Sequence, residues 1–412
     1  MADHNGVDRP SGDILSTLTA DEKVKLREAW SMLLQLCGAE DLKDQASPKT
    51  AKFLQSLPCK SDQAFRDTLW RAVHGDHPDA ILLRFLRARK WDVELAVNML
   101  VSAVNWRDEI KIDESIIYDG ENVALQPQPN ISQKDRDFIA QYRSGKAYAR
   151  GADREGRLVY IIKVRLHKPS AQSPEAMERF ILHSIESLKM IVRSPPPHDQ
   201  VCLVFDLTNF GMANMDFHVV KFIIQVFEAR YPETLGIVLV HNAPFIFWGM
   251  FALPWLSFHI MRNLTFDLGV WNIIKHWLDP VIASKINFTS GKSGLAKHIP
   301  DGTLQKEYGG KDDWQYRYIE PVAGENEKLG AEEKTAELHA QRSDLIEQFE
   351  TLTSEWVKSQ SANQERVQRR DAVVKALQDN YWKLDPYIRA RTYYHRAGVI
   401  DPSGNMNLTA AQ

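Results

Sequence analysis

The sequence predicts an α/β protein: an amino-terminal helical lobe, then a mainly parallel sheet with covering helices, then a helical carboxy-terminal extension. Three observations carry that prediction. Short, uniformly apolar runs at 158–164, 202–205 and 237–240 have strand length and no polar face, the pattern of a sheet buried on both sides. Helix-like segments at about 174–193 and 214–230 separate them, so successive strands are joined by crossovers, which are expected to be right-handed. Segments with a helical apolar period lie before the first run and after the last.

A chain of 412 residues exceeds one ordinary core and fits a main domain with flanking helical parts. Its 44% hydrophobic and 25% charged residues describe a globular chain. A formal net charge of −3 gives no general attraction to nucleic acid, so any anion recognition must be local. Cys37, Cys59 and Cys202 have no metal or CxxC spacing and read as reduced thiols. The polar start MADHNGVDRPSGD lacks the apolar core of a signal peptide, so a cytoplasmic chain is expected and the sequon at Asn287 carries no meaning.

In chain order, residues 1–18 read as a disordered tail and 19–117 as the helical lobe. Thr19 and Glu22 have capping-box spacing, followed by Val24, Leu26, Trp30, Leu33 and Leu34 as an apolar face. Residues 40–62, with Pro48 and Pro58, look looser. Helices resume at about 62–73, 79–89 (opened by Asp76 and Pro78) and 92–109. In the last of these Asp92 is the expected cap, with Val93, Ala96, Met99, Leu100 and Val104 on one side. The turn-like GADREGR precedes the first strand of a domain placed at 135–312. Beyond Gly309 and Gly310 the composition shifts, and 324–412 reads as the helical extension. There Leu345, Phe349, Leu352 and Trp356 form an amphipathic face that either packs back on the domain or meets a partner or membrane.

One run, 243–261, holds nineteen residues without formal charge, close to the roughly 20 that span a bilayer. Pro244, Pro254 and His259 within it argue against a span. An enzyme is also disfavoured. GKS at 291–293 lacks the phosphate-loop glycine, which here is Ile286, and no GxSxG or HExxH occurs. His241, at the end of a strand, reads as core or pocket wall.

The most specific signal is a conjunction of three stretches: ILLRFLRARKWD (81–92), FEARYPETLGIVLVHNAPF (227–245) and WLDPVIASKINF (277–288). Together, and in this order, they resemble the CRAL-TRIO lipid-binding family, which has an LRFLRARKWD-like helix, a YPE…NAP strand and a DPxxxSK motif. The resemblance covers roughly 60–312. It implies a non-enzymatic carrier of single lipid molecules, with the sheet as the floor of a pocket beneath a mobile gate helix. It implies a phosphatidylinositol headgroup site at Arg89, Lys90 and Lys285 for the phosphate and Glu233 for inositol hydroxyls or for positioning a cation, chemistry that suits those groups. Arg84 and Arg87 read instead as a solvated helix face.

Two departures from the family pattern shape the expected ligands. Where the founding member has two hydroxyl residues against choline phosphate, this chain has Val201 and Leu203, on one face of a strand. Phosphatidylcholine is therefore disfavoured, and an apolar second ligand is expected, a sterol or other neutral lipid. A family threonine in the DPxxxSK motif is Ile282, which removes one contact to inositol. Trp248, Trp271, Ile274 and Trp277 are the expected gate residues. Roughly residues 250–269 exceed the family spacing and read as an insertion or as an intron translated in frame; transcript sequencing decides between them. No metal or redox cofactor is implied. The expected partners are phospholipid, the transient membrane surface it is drawn from and, if the protein presents rather than transfers its lipid, a phosphoinositide kinase. A membrane-anchored lipid-binding protein is the remaining alternative.

Overall fold

The structure, a computed structural model, describes residues 14–43, 47–59, 61–127, 130–194, 196, 198–248, 269–359 and 364–410. The lobe is built from α1 (Ala20–Leu36), α2 (Asp62–Val73), α3 (Pro78–Ala88) and α4 (Val93–Glu109). At the start of α1 the Thr19 hydroxyl accepts from the Glu22 amide at 3.3 Å, and the Glu22 carboxylate accepts from the Thr19 amide at 2.8 Å. That reciprocal cap satisfies amides a helix start would otherwise leave open. Leu26, Trp30, Leu33 and Leu34 are buried, but Val24 is 57% exposed because it falls on the far side of the helix. Asp92 caps α4 by accepting from the Leu95 amide at 3.0 Å.

Three details of the lobe differ from the sequence reading. The stretch around Pro48 forms a helix, Pro48–Ser56, because Ser47 caps it and proline fits the first helical position. The cap of α3 is His77, not Asp76. Asp76 turns inward and accepts from Arg84 at 3.0 Å and from the Ser194 amide at 3.1 Å. Arg84 is therefore a largely buried ion-pair residue and not part of a solvated face.

The sheet has five strands in the order β1 (Ala147–Ala152), β2 (Leu158–Lys163), β3 (Val201–Asp206), β4 (Leu235–His241) and β5 (Ile286–Thr289). β1 pairs antiparallel with β2, and every later pairing is parallel, so the sheet is mixed with one reversed edge. α5 (Gln133–Arg143) leads into it. α6 (Pro174–Leu188) joins β2 to β3, and α7 (Phe217–Ala229) joins β3 to β4. Alternation along the strands sorts the two faces. Val159, Ile161, Cys202, Val204 and Leu239 pack with Leu295 and Ile299 on one side, whereas Leu158, Tyr160, Val201, Leu203 and Val238 join the core on the side of α6 and α7.

The extension consists of α8 (Glu332–Lys358) and α9 (Gln364–Ile388), and it packs back on the lobe. Phe349 sits between Trp30 and Trp70, with ring centroids 5.5 and 5.4 Å away. Arg370 donates to Asp79 at 2.7 Å with both side chains buried. No described helix is long and apolar enough to cross a membrane. Most of the uncharged run at 243–261, and the bulk of the extra segment at 250–269, lie outside the described residues.

Candidate functional site

Between the sheet and helices α6 and α7 lies a cavity with about 230 Å³ reachable by the centre of a water molecule. One water needs only about 10–15 Å³ on that measure, so this is no packing defect. Its floor includes Val201, Leu203 and Val238, and its walls include Phe180 and Ile185 of α6 and Ile223 and Phe227 of α7. The sequence FHVVKFIIQVFEA gives α7 apolar residues nearly all round, which suits a helix caught between a core and an apolar hollow. Trp271, Ile274 and Ile282 close another side. Trp271 stacks on Phe247 at 6.2 Å and meets Phe288 edge-on at 5.1 Å. Trp277 packs edge-on against Phe217 at 5.9 Å. The side chain of Trp248 is outside the described residues.

At the amino ends of β4 and β5 stand Glu233 and Lys285, joined by a 3.0 Å ion pair and each 18% exposed. Asp279 caps the short helix Pro280–Ser284, which delivers Lys285 to the start of β5, where its carbonyl accepts from the Val238 amide at 2.9 Å. Glu233 has φ 57°, a left-handed conformation unfavourable for a residue with a Cβ. Its loop is pinned by buried Tyr231, whose hydroxyl donates to Glu186 at 2.6 Å. Burial opposes the Glu186 charge, but Arg107 at 2.8 Å, followed by Lys189, holds its carboxyl well below the usual range. Arg230 bonds the Ser102 carbonyl at 2.9 Å, which ties the same loop to the lobe.

Arg89 and Lys90 are exposed at the end of α3, and neither is ion-paired among the described residues. Lys90 and Trp91 both have positive φ, at 51° and 64°. Of the seven described non-glycine residues in that region, three fall within RARKWD and YPE. Backbone strain of this kind gathers at functional sites, which draws the eye to these two motifs. Arg89 and Lys90 are thus free cations near the lobe surface, while Glu233 and Lys285 form a closed pair.

A second polar group, Lys146, His167 and Asp216, interrupts the apolar lining near the carboxyl ends of the parallel strands. Burial brings the Lys146 ammonium down to about 8, with Asp216 opposing that shift. Burial and the nearby Lys146 charge both lower His167. The sequence reading missed this group, because its members come from three distant segments. No local period marks them: Lys146 stands just before β1, whose sequence AYARGA shows no apolar run. His241 is buried, with Nδ1 3.0 Å from the Thr289 hydroxyl, and belongs to the packing of strand ends. Among the described residues no cluster of three His, Cys, Asp or Glu side chains could hold a metal ion.

A mixed sheet under helices, enclosing an apolar hollow whose lining includes Lys146, His167 and Asp216, defines a cavity-forming α/β protein. Comparison with known proteins gives the family. The CRAL/TRIO domain matches residues 142–267 and 257–310, and the CRAL/TRIO N-terminal domain matches 49–102. A CRAL-TRIO domain-containing protein of Schizosaccharomyces pombe is 38% identical over 351 residues, 85% of this chain and 72% of that one. The phosphatidylinositol transfer protein CSR1 of Eremothecium gossypii is 35% identical over 334 residues, 80% and 70% of the two chains. The chain belongs to the CRAL-TRIO family. Among solved structures, that of Sfh5 aligns at a TM-score of 0.43 and 18% identity, covering 58% of this chain and 75% of the other.

Proposed function

We propose that the protein is a non-enzymatic carrier that binds single phosphatidylinositol molecules, and a second apolar lipid, and exchanges them between membranes. The observation that carries this reading is the cavity: its walls are almost wholly hydrocarbon, and the ion pair of Glu233 and Lys285 adjoins the lining residues Thr234 and Ile286. A methylene kept from water is worth ~0.8 kcal/mol, so a sixteen-carbon chain represents on the order of 12 kcal/mol. Only a hollow about as apolar as the bilayer allows such a chain to leave its leaflet. The relative named as a phosphatidylinositol transfer protein supports the choice of headgroup.

Glu233 shields Lys285 in a 3.0 Å ion pair. An entering inositol phosphate takes over the lysine, and the freed carboxylate accepts from ring hydroxyls. Arg89 and Lys90 attract the phosphate or the membrane surface beside it. Val201 and Leu203 offer no hydroxyl to choline phosphate and leave that part of the wall to an uncharged ligand. The test is mass spectrometry of lipids that copurify with the protein, joined to a liposome-to-liposome transfer assay. Phosphatidylinositol should copurify and move between vesicles, and Lys90→Ala with Lys285→Ala should remove its uptake. Protein that emerges empty and loads no glycerolipid overturns the reading. Binding without transfer would make it a lipid-presenting protein.

A further inference from the structure

Glu233 holds a backbone conformation that a residue with a side chain resists. With φ at 57° its Cβ crowds the following carbonyl oxygen, so the conformation persists only where flanking contacts impose it. The flanks do so. Pro232, on one side, has a fixed φ. The Thr234 hydroxyl, on the other, reaches back across Glu233 and donates to the Tyr231 carbonyl at 2.7 Å. The Thr234 carbonyl accepts from the Val201 amide of β3 at 2.8 Å. The turn is thus closed on itself and tied to the sheet.

Its far anchor is the Tyr231 side chain. The hydroxyl donates to Glu186 Oε1 at 2.6 Å, and the ring meets Trp106 of α4 edge-on at 6.2 Å. Burial, followed by the Glu186 charge, holds the phenol well above its ordinary value, so it stays a donor. Glu186, on α6, is fully buried, and the same oxygen accepts from Arg107 Nη1 of α4 at 2.8 Å. Lys189 and His74 stand 3.5 Å from its other oxygen. Arg107 is itself fixed by Asp113, with bonds of 2.6 and 2.9 Å. A line of charge-assisted hydrogen bonds therefore runs from the lobe, through α6, to the residue two positions before Glu233.

The carboxylate at the end of this line is the one paired with Lys285 at 3.0 Å. Lys285 has its own anchor, the bond from the Val238 amide to its carbonyl at 2.9 Å. Loss of the Tyr231 tie would let the turn relax toward an ordinary backbone and carry the carboxylate away from Lys285. The cation would then remain for a phosphate, while the acceptor for ring hydroxyls would be displaced. Among the described residues that line the lipid cavity are Thr234 and Lys189, but neither Tyr231 nor Glu186. Resting on the carrier reading above, we infer that Tyr231 and Glu186 are positioning residues: without lining the lipid cavity, they set the preference for an inositol headgroup by holding Glu233 against Lys285.

The experiment offers the intact protein vesicles with equal amounts of phosphatidylinositol and phosphatidic acid and measures the ratio loaded. Wild type should favour phosphatidylinositol. Tyr231→Phe, which removes one hydroxyl and keeps the ring, should lower that ratio about fivefold, on the order of one hydrogen bond. It should still load phosphatidic acid, which reports that the variant is folded. In the Glu233→Gln background the same change should alter the ratio no further, since both act through one carboxylate. Thr234→Val, which opens the turn at nearly the same side-chain volume, should lower the ratio too and decides the matter if Tyr231→Phe does not fold. A ratio unchanged in both variants overturns the inference, as does a Tyr231→Phe effect equally large with and without the Glu233 carboxylate. Wild type that loads both lipids without preference overturns it as well, and leaves the carrier reading standing. Protein that loads neither lipid overturns the carrier reading and the inference with it.

Discussion

Glu233 and Lys285 lie 52 positions apart and face each other at 3.0 Å, a partnership their two motifs announce in the sequence but do not prove. On the proposed carrier reading the two meet different parts of an inositol phosphate, so single substitutions should separate their roles. Lys285→Ala should weaken phosphatidylinositol uptake by about tenfold or more, the worth of one hydrogen bond to a charged group. Glu233→Gln, which leaves the cation unopposed, should keep uptake of phosphatidic acid while reducing the preference for the inositol lipid. Vesicle-loading assays with both lipids check this, and equal losses in both variants would assign the pair a purely structural role. What the motifs made legible is the position of both residues, just before β4 and at the start of β5. The role of Arg84 was not legible, because a helix-face reading cannot see Asp76 folding back onto it at 3.0 Å. Nor were Lys146, His167 and Asp216, which only the folded chain brings together.

At the scale of elements, the three central strands were legible as apolar runs because both of their faces are covered. The two edges were not. β1 reads AYARGA, and its Arg150 is buried against Asp312 at 2.9 Å and the Ala410 carbonyl at 2.6 Å, while Gly151 with φ 67° sits within a break in register. β5 has four residues, half of them exposed, too few to show a period. The face of β3 carries a prediction of its own. Val201 and Leu203 stand two apart and both line the cavity. Val201→Ser with Leu203→Thr should therefore create measurable phosphatidylcholine loading and reduce loading of dehydroergosterol. Lipid profiles of the purified variant test it, and an unchanged profile would mean that this face does not select the ligand. In the extension, Phe349 is fully buried between two indoles, so Phe349→Ala should destabilise the protein by about 3–5 kcal/mol in urea unfolding.

At the scale of the whole molecule, the carboxy-terminal segment packs on the lobe through Phe349 and reaches the sheet through its last residues, adding to direct ties such as Arg107 to Glu186 at 2.8 Å. The Tyr393 amide donates to buried Glu121 at 2.7 Å, and the Gly151 amide of β1 donates to the Leu408 carbonyl at 3.0 Å. The sequence foretold an amphipathic helix at Leu345, Phe349, Leu352 and Trp356, but not that its continuation would clasp the sheet, since such contacts leave no local period. This arrangement buries histidines in places that exclude their charge. Burial lowers His74 and His183 well below the ordinary value, and it lowers His395, beside Arg391, to about 3. The unfolded chain takes up protons at all three near pH 6.5 while the folded chain does not, so protonation favours unfolding. Their contribution is fully present above about pH 6.5 and is lost progressively below it, at up to ~1.4 kcal/mol per pH unit for each histidine. Glu121 and Asp199, whose carboxyls burial raises, bind protons in the folded state and oppose this trend nearer pH 5. Urea midpoints should therefore fall gently from about pH 8 to 7, where Lys146 and Lys189, both brought down to about 8 by burial, take up their last protons, and drop more steeply between about 6.5 and 5.5. His395→Gln should make that drop shallower by about one proton. A midpoint that stays level through this window would mean that these imidazoles are not neutral in the folded protein, and that the clasp is looser than its burial implies.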